Sequence, residues 1–199
     1  MTNSDNDTKN PSDTTFATVS GLIALGMATM GSVGSVYLSI GLGLKACPLC
    51  FYQRSLMIVT AVSLLTSFWL DGVRSTRLCF VALPFAWAGL GVAMFHEYLV
   101  LSGKLECPPA LFGWGDGPIQ SLAVFCVLTG VCLVGAFVNR RSSARQGLPS
   151  IMVAILVGGG VAWACIASAP SLPPTPAQPY DVLMQPFDTC RPPIVKASN

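Results

Sequence analysis

Lys45-Ala46-Cys47-Pro48-Leu49-Cys50-Phe51-Tyr52-Gln53-Arg54 lies where one long apolar segment ends and the next begins. Two cysteines spaced C-x-x-C can close a small disulfide ring, exchange with another thiol pair or hold a metal. Pro48 suits the first turn of a helix, where a missing N–H costs nothing. A helix starting there puts Cys47, Cys50 and Arg54 on one face, since three residues advance about 300° and four more return close to the starting angle. A helix N-terminus favours a thiolate over a thiol, and Arg54 adds a full positive charge one turn further in. The stretch reads as a thiol pair built to ionise and exchange at a membrane boundary. A structural disulfide is the plain alternative. A zinc site needs about four ligands; no second spaced pair is present, so no metal site is expected.

Outward from that stretch, the chain of 199 residues is 52% hydrophobic and only 10% charged, with mean hydropathy +0.62. Soluble domains carry about 25% charged residues, so this is an all-α integral membrane protein surrounded by lipid. The net charge of +2 is small and dispersed, which excludes a nucleic-acid footprint, and a single histidine excludes a His-rich metal site. A spanning helix needs roughly 20 mostly apolar residues. Five segments qualify: about Phe16–Leu44, Pro48–Leu70, Leu78–Val100, Pro118–Val138 and Pro149–Ala169. The first is too long for a signal-peptide core of roughly 7–15 residues, so it reads as an uncleaved helix.

The expected organisation is a disordered cytoplasmic tail (1–15), a four-helix redox bundle (16–138), a fifth transmembrane helix (149–169) and an extracytoplasmic tail (170–199). The last is proline-rich and should be extended, an arm carrying Cys190. Arg74, Arg77, Arg140, Arg141 and Arg145 fall after the second and fourth helices, against Lys45 and Lys104 after the first and third. The positive-inside rule then puts the N-terminus in the cytoplasm and the C-terminus outside. Cys47 and Cys50 follow one crossing, Cys107 three and Cys190 five, so all share the outer, oxidising side. Cys79, Cys126, Cys132 and Cys165 lie inside apolar helices and read as inert, buried core residues.

Arg54 lies inside the second helix, where a charge is costly and usually functional. It can stabilise a Cys50 thiolate or bind an electron-rich oxygen of a small acceptor; snorkelling to the interface is its bland reading. Cys107 and Cys190, each followed by two prolines, are either a structural staple or a second exchanging pair. Two outer pairs make a relay through mixed disulfides available. His96 and Glu97 end the third helix on the same side, either as an interfacial polar pair or as a proton route to an acceptor near Cys50. Trp114, in Phe112-Gly113-Trp114-Gly115, suits a loop lying on the membrane surface.

Cys47-Pro48-Leu49-Cys50-Phe51-Tyr52-Gln53-Arg54 resembles the C-x-x-C-x-Y-x-R signature of the disulfide bond formation protein B family, bacterial inner-membrane thiol oxidases linked to quinone. His96-Glu97 and the loop from Cys107 to Pro118 resemble that family as well, over roughly Val19 to Val138. The resemblance implies that Cys47 and Cys50 pass electrons to ubiquinone or menaquinone, with Cys50 facing the quinone and Arg54 holding one of its oxygens. It also implies that a second pair oxidises a periplasmic thioredoxin-fold dithiol carrier. The family places both cysteines of that pair in one loop; here the loop has Cys107 alone, and the missing partner is expected to be Cys190, whose Pro186-Phe187-Asp188-Thr189-Cys190 context resembles the partner-attacking cysteine. The expected order is carrier, Cys190–Cys107, Cys47–Cys50, quinone, with catalytic residues Cys47, Cys50, Cys107 and Cys190 and quinone-binding residues Cys50, Arg54, His96 and Glu97. The alternatives are a vitamin K epoxide reductase-like quinone reductase, whose C-x-x-C comes late rather than first, and a non-catalytic scaffold with structural disulfides.

Overall fold

In hydrocarbon no water is present to satisfy a backbone N–H or C=O, so apolar stretches of this length must fold as helices. The computed structural model describes residues 11–71, 78–109, 115–140, 148–170 and 188–193. Those residues form five helices, α1 (Pro11–Ile40), α2 (Pro48–Asp71), α3 (Leu78–Leu101), α4 (Gly117–Arg140) and α5 (Leu148–Ala167), and no strands beyond isolated bridges. All five are long and apolar enough to cross a membrane. The chain is an all-helical, multi-pass membrane protein.

The largest departure from the sequence reading is α1. It begins at Pro11, inside the stretch 1–15 expected to be disordered, and ends at Ile40 rather than Leu44. Proline is well accepted in a first helical turn, which extends the helix beyond its apolar part; the spanning part runs Thr18–Ile40. At the other end Gly43 takes φ 69°, a left-handed conformation that costs glycine little. Residues 1–10, the arginine-bearing loop positions 74, 77, 141 and 145, the loop residues Phe112 to Trp114 and the proline-rich stretch 171–187 lie outside the described residues.

Helix α3 is the most enclosed, packing on α2, α4 and α5, while α1 packs on α2 and α4. Small residues set these approaches, as van der Waals contact replaces the hydrophobic effect between helices in lipid. A methyl group at Gly89 of α3 would overlap the Phe125 ring of α4, and one at Gly158 of α5 would overlap the carbonyl of Pro84 in α3. Polar side chains inside the bundle are satisfied locally: Thr60 donates to the Leu56 carbonyl at 2.7 Å and Thr129 to the Ala86 carbonyl at 3.1 Å. Cys79 and Cys132 are buried and hydrogen-bonded across α3 and α4, as a packed core requires. Cys165 is only half-buried and Cys126 is exposed on the outer face of α4, so the expectation of four buried helix cysteines holds for two. A spanning segment does not have to face the protein at every position, because lipid accepts a thiol as readily as an aliphatic chain.

At the end of α3, Lys104 N–H donates to the Leu99 carbonyl at 3.0 Å and Gly103 N–H to Val100 at 2.9 Å, with Gly103 at φ 67°. This is a Schellman cap. It turns the chain back over the bundle end and delivers Leu105 to Cys107 above α2.

The two adjacent glycines of α5 should respond oppositely to alanine. Gly159 faces open space, so Gly159→Ala is expected to leave thermal stability in detergent unchanged or raise it by up to about 1 kcal/mol. Gly158→Ala has to push α5 off the Pro84 backbone and should cost about 1–3 kcal/mol in the same thermal scan.

Candidate functional site

The site is built at the end of the bundle where α1 ends, α2 begins and α3 is capped. Cys47 immediately precedes α2 and Cys50 lies in its first turn; their sulfurs are 2.7 Å apart and share a proton as a free dithiol. The Cys50 backbone N–H adds a hydrogen bond to Cys47 Sγ at 3.2 Å, as expected where the first N–H groups of a helix lack intrahelical acceptors. The Cys50 hydrogen bond holds the Cys47 thiol down to about 5; His96 adds to this, and burial opposes it. Cys47 is therefore the more readily ionised thiol of the pair.

Cys107 and Cys190 form a disulfide across 83 residues of sequence. The bond is not the only tie between tail and loop. Glu106 and Arg191 exchange backbone hydrogen bonds at 2.8 and 2.9 Å, and Lys45 N–H donates to the Asp188 carbonyl at 2.7 Å. Lys45 Nζ also pairs with Asp188 Oδ2 at 2.9 Å, a partly exposed ion pair of small energetic weight.

His96 stands between the two cysteine pairs. Its ring is fully buried, with Nε2 at 3.8 Å from Cys47 Sγ, 3.6 Å from Cys107 Sγ and 3.7 Å from Cys190 Sγ. The other ring nitrogen is held from behind. Ser121 Oγ donates to Gln53 Oε1 at 2.8 Å, and Gln53 Nε2 donates to His96 Nδ1 at 3.3 Å. With Nδ1 accepting, the neutral ring carries its proton on Nε2, aimed at sulfur. One N–H is thus within reach of three sulfurs, those of Cys47, Cys107 and Cys190.

On the far side of Cys50 lies a cavity of about 420 Å³ between α1, α2 and α4. Its walls are mostly apolar, with Met27, Leu38, Met57 and Phe125 among them, and Cys50, Cys107 and Cys190 reach it whereas Cys47 does not. Arg54 also lines it, anchored to α1: Nε donates to Ser35 Oγ at 2.9 Å, and Nη2 to the Ser35 carbonyl at 2.8 Å and Ser39 Oγ at 2.6 Å. Its Nη1 makes no hydrogen bond to the described residues.

The residues singled out in sequence thus divide in two. Cys47, Cys50, Cys107, Cys190 and His96 converge, and Cys50 and Arg54 share a cavity. His96 and Glu97 are buried but do not stand in that cavity's wall; Glu97 Oε2 is buried with no hydrogen-bond partner among the described residues. Sequence reading missed Gln53, Ser121, Ser35 and Ser39. Ser35 and Ser39 carried a signal, being hydroxyls four apart on one face of an apolar helix; Ser121 carried none, since its partner lies 68 residues away.

Five membrane-length helices enclosing two cysteine pairs at one end define a membrane thiol–disulfide oxidoreductase. The family model for "Disulfide bond formation protein DsbB" matches residues 17–116, and the chain belongs to that family. Curated relatives include a probable disulfide formation protein of Chlamydia trachomatis, 30% identical over 115 residues and covering 53% of this chain and 82% of the relative. Another, from Chlamydia muridarum, is 29% identical over 117 residues, covering 54% and 84%. No solved structure matches the chain.

The tail linkage can be read directly. With a protease site engineered between α4 and α5, the cut chain should run as one species on non-reducing gels and as two after reduction. Cys190→Ser should run as two under both conditions.

Proposed function

We propose that this disulfide-forming membrane protein reoxidises a periplasmic thioredoxin-fold dithiol carrier and passes two electrons to a membrane quinone, ubiquinone or menaquinone. The observation that carries the reading is the position of Cys50. It belongs to a pair whose other member has its sulfur within 4.8 Å of Cys190 Sγ, and it opens into an apolar cavity also lined by Arg54, whose Nη1 has no partner among the described residues. A cavity of about 420 Å³ is within the range of roughly 300–1,000 Å³ usual for small-molecule sites. Its apolar walls suit a quinone ring, and Arg54 Nη1 suits a carbonyl oxygen that gains charge on reduction. A bound quinone would supply the terminal acceptor of two electrons and two protons.

The protein's part is a series of sulfur exchanges. A carrier thiolate attacks Cys190, forming a mixed disulfide and releasing Cys107 as thiolate. Cys107 then attacks Cys47 of an oxidised Cys47–Cys50 pair, and Cys50 leaves as thiolate toward the cavity. The second carrier thiol resolves the mixed disulfide, and the freed Cys190 takes back Cys107, leaving Cys47 and Cys50 as the dithiol that discharges into the acceptor. His96 Nε2 holds negative charge on Cys47, Cys107 or Cys190 as each carries it, through the 3.6–3.8 Å contacts described above. His96 thereby serves the exchange between pairs rather than a direct contact with the quinone, and Glu97 is the buried next residue of α3.

The proposed architecture is a redox bundle of α1–α4, with α5 returning the tail to the outer face in a bacterial inner membrane, N-terminus in the cytoplasm. α5 packs chiefly on α3, and Tyr52 Oη of α2 meets Ser168 Oγ at the end of α5 at 3.3 Å. That contact supports a return of the chain to the face where α2 starts.

Purified protein in detergent, given a reduced dithiol carrier and a soluble quinone, should produce quinol. Cys47→Ser, Cys50→Ser and Cys190→Ser should each abolish turnover; unchanged turnover in Cys47→Ser or Cys50→Ser would refute the relay. Arg54→Met should raise the quinone KM about tenfold, the weight of one hydrogen bond to a charged group at roughly 1.4 kcal/mol.

A further inference from the structure

We propose that the fully reduced chain binds one zinc ion between the sulfurs of Cys47, Cys50 and Cys190 and Nε2 of His96, and that the oxidised chain does not. The inference rests on the proposed function in one respect: the Cys107–Cys190 bond must open during turnover. The four donor atoms already lie within 4.8 Å of one another. A tetrahedral zinc with three sulfurs and one imidazole requires S···S separations of about 3.8 Å and S···N of about 3.5 Å. His96 Nε2 lies 3.8 Å from Cys47 Sγ and 3.7 Å from Cys190 Sγ, so two of the three S···N edges are nearly formed. The Cys47–Cys50 separation of 2.7 Å has to widen by about 1 Å. Cys50 is half-buried and borders the cavity, which leaves its side chain room to rotate.

Reduction does not scatter these donors. The segment bearing Cys190 is tied to the bundle end by the backbone hydrogen bonds of Arg191 with Glu106 and of Asp188 with Lys45, none of which involves sulfur. His96 is held by Gln53, and Gln53 by Ser121. Turning the Gln53 amide end over end lets Oε1 accept from Nδ1–H while Nε2 donates to Ser121 Oγ. Nε2 of His96 is then stripped of its proton and free for metal, the usual outer support of a ligating imidazole. Cys50 and Cys190 both border the cavity, so an ion reaches the donors through it.

The redox gating follows from valence. A thiolate is a strong zinc ligand and a disulfide sulfur is not. With Cys107–Cys190 closed one ligand is missing, and with Cys47–Cys50 closed two are missing. Binding exchanges three S–H protons for three Zn–S bonds and moves no electrons. The site carries one excess negative charge, and Arg54 in the adjoining wall faces the same cavity. Zinc would occupy the sulfurs the relay uses, so it would hold the most reduced form of the protein out of turnover.

The test uses the full chain in detergent, reduced anaerobically with a phosphine and desalted, and titrated with zinc against a chromogenic chelator. The expected result is one zinc per reduced chain, bound about 100-fold more tightly than by the oxidised chain, as loss of one or more thiolate ligands requires. Cobalt in place of zinc should give the intense visible bands of a tetrahedral thiolate site in the reduced wild type, a readout that needs no variant to fold. Cys190→Ser and His96→Gln should each weaken zinc binding at least about tenfold, whereas Cys107→Ser and the remote Cys126→Ser should bind as wild type does. Equal binding by reduced and oxidised chains, or wild-type affinity in both Cys190→Ser and His96→Gln, would overturn the proposal. The titration contains neither quinone nor carrier. Zinc binding without turnover would therefore remove the relay and keep the site, and turnover without zinc binding would do the reverse.

Discussion

A fully buried imidazole in contact with three sulfurs is the constraint on which the rest of this structure depends. Burying a polar ring at the end of a membrane bundle is costly unless both nitrogens are engaged. One is engaged by Gln53 and the other by the cysteines, so the ring fixes where the start of α2, the loop after α3 and the tail must meet. Ser121 extends the requirement to α4. Four segments far apart in sequence are thus registered on one side chain. The same economy governs Arg54, whose charge is tolerable because Ser35 and Ser39 on α1 accept from it. Polar groups and packing are coupled here, and a change at Gln53 or Ser35 would shift the side chain it holds, His96 or Arg54.

Much of this was legible from residues alone. Length and apolarity require five spanning helices, and the helix starts at Pro48 and Leu78 coincide with those read from sequence. Crossing parity groups Cys47, Cys50, Cys107 and Cys190 on one side, and the structure brings those four together at one bundle end. The family signature around Cys47 and Arg54 agrees with the matched family model. What was not legible depends on three-dimensional closure. Hydropathy does not mark that α1 reaches back to Pro11, because its first turns are polar. Nor does periodicity reveal that His96 turns toward sulfur rather than into the cavity, since both directions lie inside the same bundle end.

The sequence holds no second C-x-x-C pair, yet four potential donor atoms converge because they come from the α2 start, α3 and the tail. Spacing rules describe sites closed by one turn of chain; a bundle closes them by helix packing. The segregation of cysteines is likewise less strict than hydropathy implies: Cys126 faces outward while Cys47 is buried. Exposure within a membrane protein is measured against lipid as well as water, and thiols are indifferent to the former.

The Cys107–Cys190 bond also carries a consequence for biogenesis. Its second cysteine comes after α5, so the ribosome must complete, and the membrane accept, the last helix before the pair can close. A chain halted or mis-inserted at α5 would hold Cys47 and Cys50 but lack a closed Cys107–Cys190 pair. Closure of this disulfide is therefore ordered after synthesis of α5, a dependence that two cysteines within a single loop would not impose.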